Sequence, residues 1–305
     1  MKSQRNKTID FPLEEAKEYL ERIVVEKETT EIKVNSTVCG DAFRALKKIP
    51  DKSVDLLIVD PPYNLDKNFH GNGFRKTRDD KYASYTEKWI NAVKPKLKDT
   101  ASIYVCCDWR SGMVIGNLIN EHFILRNRIT WQREKGRGAK LNWKNSMEDI
   151  YFATVSDKFT FNLDAVKQRK KVLAPYKENG VPKDWEETPD GKFRNTCPSN
   201  FWDDIAVPYW SMAENTAHPT QKPEKLIAKL ILASSNENDL VLDPFAGSGT
   251  TGVVAKKLKR NYIDLEQNPL YCAWAEKRLE DAETDATIQG YENGVFWERN
   301  SKSKK

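Results

Sequence analysis

Residues 239–266 read DLVLDPFAGSGTTGVVAKKLKRNYIDLE, and the fold turns on how this stretch is read. The apolar run from Asp239 to Leu242 is too short for a helix and fits a buried strand. It breaks at Asp243-Pro244 into a turn holding Gly247 and Gly249. Thr250 to Leu258 then has a helical pattern, and Asn261 to Leu265 reads as a second strand. Glycines in such a turn let the backbone approach a ligand at the carboxyl edge of a sheet, and the helix start presents free N–H groups. No lysine follows the second glycine, so this is not a Walker loop, and the third glycine of the dinucleotide fingerprint is missing. Glu266 ends the second strand, about where an acidic side chain reaches ribose hydroxyls in a doubly wound fold. Taken singly, the turn reads equally as a bare turn and Glu266 as an exposed carboxylate at a strand end.

Working outward, the same alternation recurs. Toward the amino terminus there is a strand in EIKVNSTVC, a helix around DAFRALKKI and the apolar run Val54 to Val59 ending in Asp60. A helix around Tyr85 to Lys96, a strand Ala101 to Cys107, a helix Gly112 to His122 and a strand Phe123 to Trp131 follow. Helices Pro223 to Ser234 and Tyr271 to Ala282 flank the opening stretch. Strands alternating with helices at this spacing predict an α/β fold with a mostly parallel, doubly wound sheet. Residues 132–217 break the pattern; there only Met147 to Val155 reads as a strand, so the region looks like an insertion. Residues 1–32 read as a helical extension carrying an amphipathic helix over Leu13 to Val25. Residues 283–305 read as a polar tail with a frayed, lysine-rich end.

Composition narrows the function classes. The chain has 305 residues, 31% charged and 39% hydrophobic, and no run of about 20 apolar residues that a membrane span needs. Its polar amino terminus lacks the apolar core of a secretory signal, so a cytoplasmic protein is expected. Five cysteines form no C-x-x-C pair and the three histidines no i, i+4 pair, so no metal site is expected. The net charge of +5 is concentrated between Arg126 and Asn200, where 16 lysines and arginines face 10 acids.

A second motif, Asp60-Pro61-Pro62-Tyr63, closes the strand from Val54. Two prolines cannot continue a ladder and hold the backbone extended, so the turn offers rigid acceptors beside an aromatic face. Such a group suits an exocyclic amine on a planar base: Asp60 and the Pro61 carbonyl accept its hydrogens while Tyr63 stacks on the ring. A plain proline turn would use the same residues.

DPPYN at 60–64, HPTQKP at 218–223 and DPFAGSGTT at 243–251, in this order, resemble the beta-class DNA amino-methyltransferases, and the aspartate of DPPY is typical of adenine-N6 members of the kind found in type II restriction-modification systems. The resemblance spans roughly residues 33–282. It implies a Rossmann-like sheet of about seven strands, one of them antiparallel. The order is permuted: a catalytic half (33–131), a target recognition region (132–217) and a cofactor half (218–282). It further implies S-adenosylmethionine as methyl donor and double-stranded DNA as substrate. Family members are often homodimers, and some act beside a restriction endonuclease for the same site; the sequence supplies no independent argument for either.

Carried over position by position, Asp243, Phe245, Gly247 and Gly249 would cradle the methionine portion of the donor, with Ser248 and Thr250 in the same turn, and Glu266 would hold the ribose. Asp41 in CGDAF matches the aspartate near the donor's adenine, and reads equally as a helix N-cap. Thr220, Gln221 and Lys222 match the segment that closes over the donor. The target base would be rotated out of the duplex. Phosphate contacts are expected from Arg126, Arg128, Arg133, Lys135, Arg137 and Lys140, unless that segment is only a solvated loop, and from Arg75, Lys76 and Arg78 in a loop, Leu65 to Lys81, expected to order on DNA. Cys106 and Cys107 read as buried packing, and Trp143, Trp185, Trp202 and Trp210 receive no role. Cytosine-N4 methylation and a noncatalytic DNA-binding protein that keeps the fold are the competing readings.

Overall fold

The computed structural model describes residues 5–69, 72–133, 140–173 and 176–298. Nine strands form one sheet: β1 (Val24–Val25), β2 (Ser36–Cys39), β3 (Val54–Val59), β4 (Leu97–Cys107), β5 (Ile124–Gln132), β6 (Met147–Thr154), β7 (Phe201–Trp202), β8 (Leu240–Asp243) and β9 (Asn261–Glu266). Their spatial order is β1-β2-β9-β8-β3-β4-β6-β5-β7. All neighbours are parallel except where β6 pairs with β4 and with β5, so β6 alone runs against the rest. The expected seven strands are therefore the middle of the sheet, and β1 and β7 are two-residue additions at its edges.

Strands buried on both faces explain why the sequence runs here are continuously apolar. Along β3, Leu56 and Ile58 point to one side, where they meet Leu226, Leu230, Val253 and Val254. Leu57 and Val59 point to the other, against Leu46, Trp89, Ile90 and Ile119. The first layer holds α5 (Glu224–Ser234), α6 (Thr250–Lys257) and α7 (Pro269–Thr284); the second holds α2 (Ala42–Leu46), α3 (Asp79–Val93) and α4 (Ser111–His122). No helix among the described residues is long and apolar enough to cross a membrane.

Three expectations need correction. The helix expected over Leu13 to Val25 is broken into a 3-10 turn, Leu13–Glu15, a single turn α1 (Lys17–Leu20), and the strand β1, which pairs with Val38 and Cys39. The β-branched run Ile23-Val24-Val25 favours extended backbone, and the open edge of β2 supplies partners for it. The loop Leu65 to Lys81 contains a hairpin, Lys67–Phe69 with Asn72–Phe74, and its end belongs to α3, which starts at Asp79 rather than Tyr85. Asp79 and Asp80 in the first turn favour that earlier start. The tail is more than polar: Tyr291–Glu292 and Val295–Trp297 join a five-stranded sheet with Gln168–Lys171, Gly191–Thr196 and Glu186–Thr188 of the inserted region. Phe296 there is fully buried. The SKSKK end lies outside the described residues.

Candidate active site

The carboxyl ends of β3 and β8 lie side by side, where the chain leaves the sheet in opposite directions; ligands of doubly wound folds bind at such a point. A cavity of about 320 Å³ opens there, bounded by the Gly40–Phe43 segment, the Asp60–Tyr63 turn, His218, Thr220, Lys222, Pro244, Phe245, Gly247 and the Leu265–Asn268 segment. The two motifs thus face one space.

The glycine-rich turn is fixed from beneath. Asp243, 4% exposed, accepts from the Phe245 N–H with one oxygen (3.0 Å) and from the Thr251 hydroxyl with the other (2.6 Å). Burial pushes its pKa up to about 7. Gly247 and Gly249 have φ of 55° and 73°, in the left-handed region. A Cβ on Gly249 would sit 2.5 Å from the Cβ of Ala275, so glycine is required for α6 to start against α7. Glu266 receives the Gly247 N–H (2.9 Å) and the Asn268 N–H (2.8 Å), and burial raises its pKa to about 7. Asp41 unites its two readings: it caps α2 by accepting from the Arg44 N–H (2.9 Å), and it lines the cavity. Ser248 and Thr250 are buried beneath the turn; Thr250 Oγ1 accepts from Arg278 (2.9 Å) and donates to the Lys222 carbonyl (3.2 Å).

The opposite wall is a charged cluster. Tyr63 Oη donates to Asp60 Oδ1 (2.9 Å), and Lys222 Nζ donates to Asp60 Oδ2 (2.5 Å). Lys222 Nζ also approaches the Tyr63 hydroxyl (3.2 Å) and the Glu148 carboxylate (3.4 Å), and it lies 5.4 Å from the centre of the Tyr63 ring. Burial alone would pull the Lys222 pKa down; the carboxylates of Asp60 and Glu148 more than offset this and hold it above its ordinary value. Burial and the same two carboxylates push the Tyr63 phenol well up, so it stays a donor. Pro61 is buried and Pro62 accepts from Tyr82 Oη (3.0 Å), which pins the turn.

Lys222, expected in the segment that closes over the donor, lines the cavity, and its ammonium bonds Asp60. Arg133, expected on phosphate, pairs with buried Glu148. Arg126 is held by Thr154 Oγ1 (2.9 Å) and Asp157 (2.7 Å) and lies over Phe159, so it braces β5 rather than reaching outward. Arg128, itself exposed, lies 3.7 Å from the buried Asp149, and Arg78 lies 3.3 Å from Asp80 in an exposed pair. Arg75, Lys76 and Lys140 are exposed. Lys135 and Arg137 lie outside the described residues. Cys106 and Cys107 are buried, as the sequence reading expected, and burial raises both thiol pKa values, which disfavours the thiolate.

Glu148 was missed; it sits on the predicted strand Met147 to Val155, and only tertiary pairing brings it to Tyr63. Phe43, Tyr85, His218 and Tyr271 were missed as cavity walls. His218 packs edge-on against Tyr271 at 4.4 Å and beneath Gly247. Its place at the head of HPTQKP was the available signal.

The family described as DNA methylase (N6_N4_Mtase) matches residues 54–277. The chain is 37% identical over 250 residues to the DNA adenine methyltransferase YhdJ of Escherichia coli (strain K12), covering 80% of this chain and 82% of that one. It is 34% identical over 259 residues to the type II methyltransferase M.HpaI of Haemophilus parainfluenzae, covering 84% and 76%. Among solved structures it is similar to the M1.HpyAVI–SAM complex, with a TM-score of 0.52, 27% identity, and coverage of 80% of this chain and 98% of that one. The PvuII cytosine-N4-specific DNA methyltransferase is similar in fold, with a TM-score of 0.60, 20% identity, and coverage of 84% and 93%.

Proposed function

The chain belongs to this DNA methylase family, and on that premise we propose that it transfers the methyl group of S-adenosylmethionine to the N6 amino group of an adenine rotated out of double-stranded DNA. The observation that carries the reading is a cavity lined both by the Asp60–Tyr63 turn and by Gly247 of the glycine-rich turn. Asp60, rather than a serine, heads the tetrapeptide, which supports adenine over cytosine, and so does the name of the Escherichia coli relative. A homodimer and a restriction endonuclease for the same site remain carried by the family resemblance.

The residues fit the donor. Gly247 lines the cavity without a side chain to fill it, the carboxylates of Asp41 and Glu266 line it where they would accept from the donor's hydroxyl and amino groups, and Phe43, Tyr85 and Tyr271 provide apolar walls. When bound there, S-adenosylmethionine supplies an electrophilic methyl group on a sulfonium. Adenine N6 is a poor nucleophile because its lone pair is delocalised into the ring. Asp60 and the Pro61 carbonyl accept its two hydrogens and favour the tetrahedral nitrogen needed for attack. Each Asp60 oxygen has a second acceptor position free beside the bond from Tyr63 or Lys222. As N6 bonds to the methyl carbon, whose bond to sulfur would break and leave a neutral thioether, positive charge develops on N6 beside a fixed carboxylate, a preorganised electrostatic stabilisation. Asp60 then stands in line for the proton that N6 sheds. Lys222 and Tyr63 orient Asp60, and Glu148 with Arg133 holds Lys222 from behind.

The test is to incubate the protein with unmethylated DNA and labelled S-adenosylmethionine, digest to nucleosides and identify the modified base by mass. N6-methyladenine is expected, and sequencing the marked positions gives the target site. N4-methylcytosine would overturn the base assignment, and absence of any modified base would overturn the reading.

A further inference from the structure

β5 ends and β6 begins at the sheet edge that carries the active site, and the two strands pair as the arms of a hairpin. Its base is closed by the Arg133 N–H to the Ser146 carbonyl (2.6 Å) and by the pairing of Gln132 with Met147. Glu148, one residue further along, bonds with the Tyr63 hydroxyl (3.3 Å) and pairs with Lys222. The hairpin is therefore rooted in the catalytic cluster itself. On the segment leading into β6 stand Leu141, fully exposed, and Trp143, 89% exposed, whereas Trp131 of β5 and Trp202 of β7 are 1% and 6% exposed. Lys140 and Lys144, both exposed, bracket the pair. Trp143 precedes Glu148 by five positions, so their Cα atoms lie within about 18 Å of each other.

A lone exposed hydrophobic residue needs no explanation, but an indole and a leucine almost wholly in water, between two lysines at the rim of a DNA-modifying site, form a surface with a partner. The lysines match phosphates, and the indole matches a stacked base step. We propose that Trp143 enters the duplex at the target site and stacks in the space the adenine vacates, with Leu141 beside it and Lys140 and Lys144 on the flanking phosphates. The inference rests on the proposed methylation of a base within duplex DNA. Rotating that base out breaks its stacking, at a cost of a few kcal/mol; an aromatic or apolar wedge in the gap restores part of it.

The test compares wild type, Trp143→Ala and Trp143→Phe on two duplexes that carry the mapped target site, one fully paired and one with the target adenine opposite an abasic site. Transfer of label from S-adenosylmethionine gives kcat and KM. A third duplex with 2-aminopurine at the target reports unstacking by fluorescence. Trp143→Ala is expected to lower kcat/KM on the paired duplex by roughly 5-fold to 100-fold, the range for loss of one aromatic stack. It should leave the abasic duplex close to wild type and weaken the fluorescence rise, and Trp143→Phe should recover most of both. Equal losses on both duplexes, or no loss on the paired one, would overturn the wedge while leaving the methylation intact. Inactivity of the wild type on both duplexes would instead sink the methylation reading, and the wedge with it.

Discussion

Asp60 is held by two donors, Tyr63 from its own turn and Lys222 from a distant part of the chain, and that restraint sets what its replacement should do. Asp60→Asn keeps the shape but turns one acceptor oxygen into a donor facing Lys222 or Tyr63, and it removes the negative charge beside N6. kcat should fall by at least about 100-fold, the usual cost of losing one preorganised electrostatic partner. Affinity for S-adenosylmethionine, read by calorimetry, should be nearly unchanged because Asp243, Gly247 and Glu266 are untouched; a parallel loss of donor binding would place Asp60 in the donor site instead. Asp60, Pro61, Tyr63 and Gly247 were legible in the sequence because each motif is a run of consecutive residues in one turn. The rest of the cluster was not, since Glu148 and Lys222 reach Tyr63 and Asp60 across 85 and 162 residues. Arg133 illustrates the same limit: in sequence it is one cation among several in a basic run, and only the register of β5 against β6 turns it inward onto Glu148.

Elements decide how the site is held. Gly249 opens α6 at a left-handed φ and in contact with α7, so Gly249→Ala meets both backbone strain, about 1–2 kcal/mol, and a clash with Ala275. Urea melts should show a loss of roughly 2 kcal/mol or more together with lost donor binding; stability equal to wild type would refute the packing argument. α5 begins where the Glu224 N–H donates to Glu214 Oε2 (2.7 Å), just after Lys222. Burial, reinforced by the Glu224 carboxylate, raises the Glu214 pKa from 4.5 to about 7. The folded state therefore binds this proton more tightly than the unfolded chain does. Its contribution to stability is present below about pH 4.5 and is lost as pH rises through about 7. Glu214→Gln keeps an acceptor for the Glu224 N–H, so the fall of Tm between pH 5 and 8 should be shallower in the variant than in wild type; parallel profiles would exclude Glu214 as a source of that fall. Central strands such as β3 and β8 were legible because burial on both faces leaves an unbroken apolar run. β1 and the tail strands were not, because a strand of two or three residues has no period to read and exists only through its neighbours.

For the whole molecule, the decisive question is whether the inserted region is a separate body. Its sequence, irregular and basic, suggests a module set between two halves of a sheet, and its five-stranded sheet has strands of its own. Yet Val166, Trp202 and Ile205 from the insertion and Phe296 from the tail share one apolar cluster with Leu226, Leu230 and Val253 from α5 and α6. Lys225 of α5 ties the same region together, donating to Asp204 Oδ2 (2.6 Å) and to the Trp297 carbonyl (2.8 Å). Lys229 stands between Asp204 (3.3 Å) and the rings of Trp202 and Phe296. A region that shares its core with α5 and α6 cannot melt without exposing their apolar surface, so unfolding should be one cooperative transition. Phe296→Ala tests this at a residue remote from both catalytic turns. Truncating a fully buried phenylalanine costs about 3–5 kcal/mol, and the loss should move the entire calorimetric transition to lower temperature, with intrinsic fluorescence and far-ultraviolet ellipticity shifting together. An early transition confined to the insertion, with the main sheet melting at its original temperature, would show instead that the insertion and the main sheet fold independently.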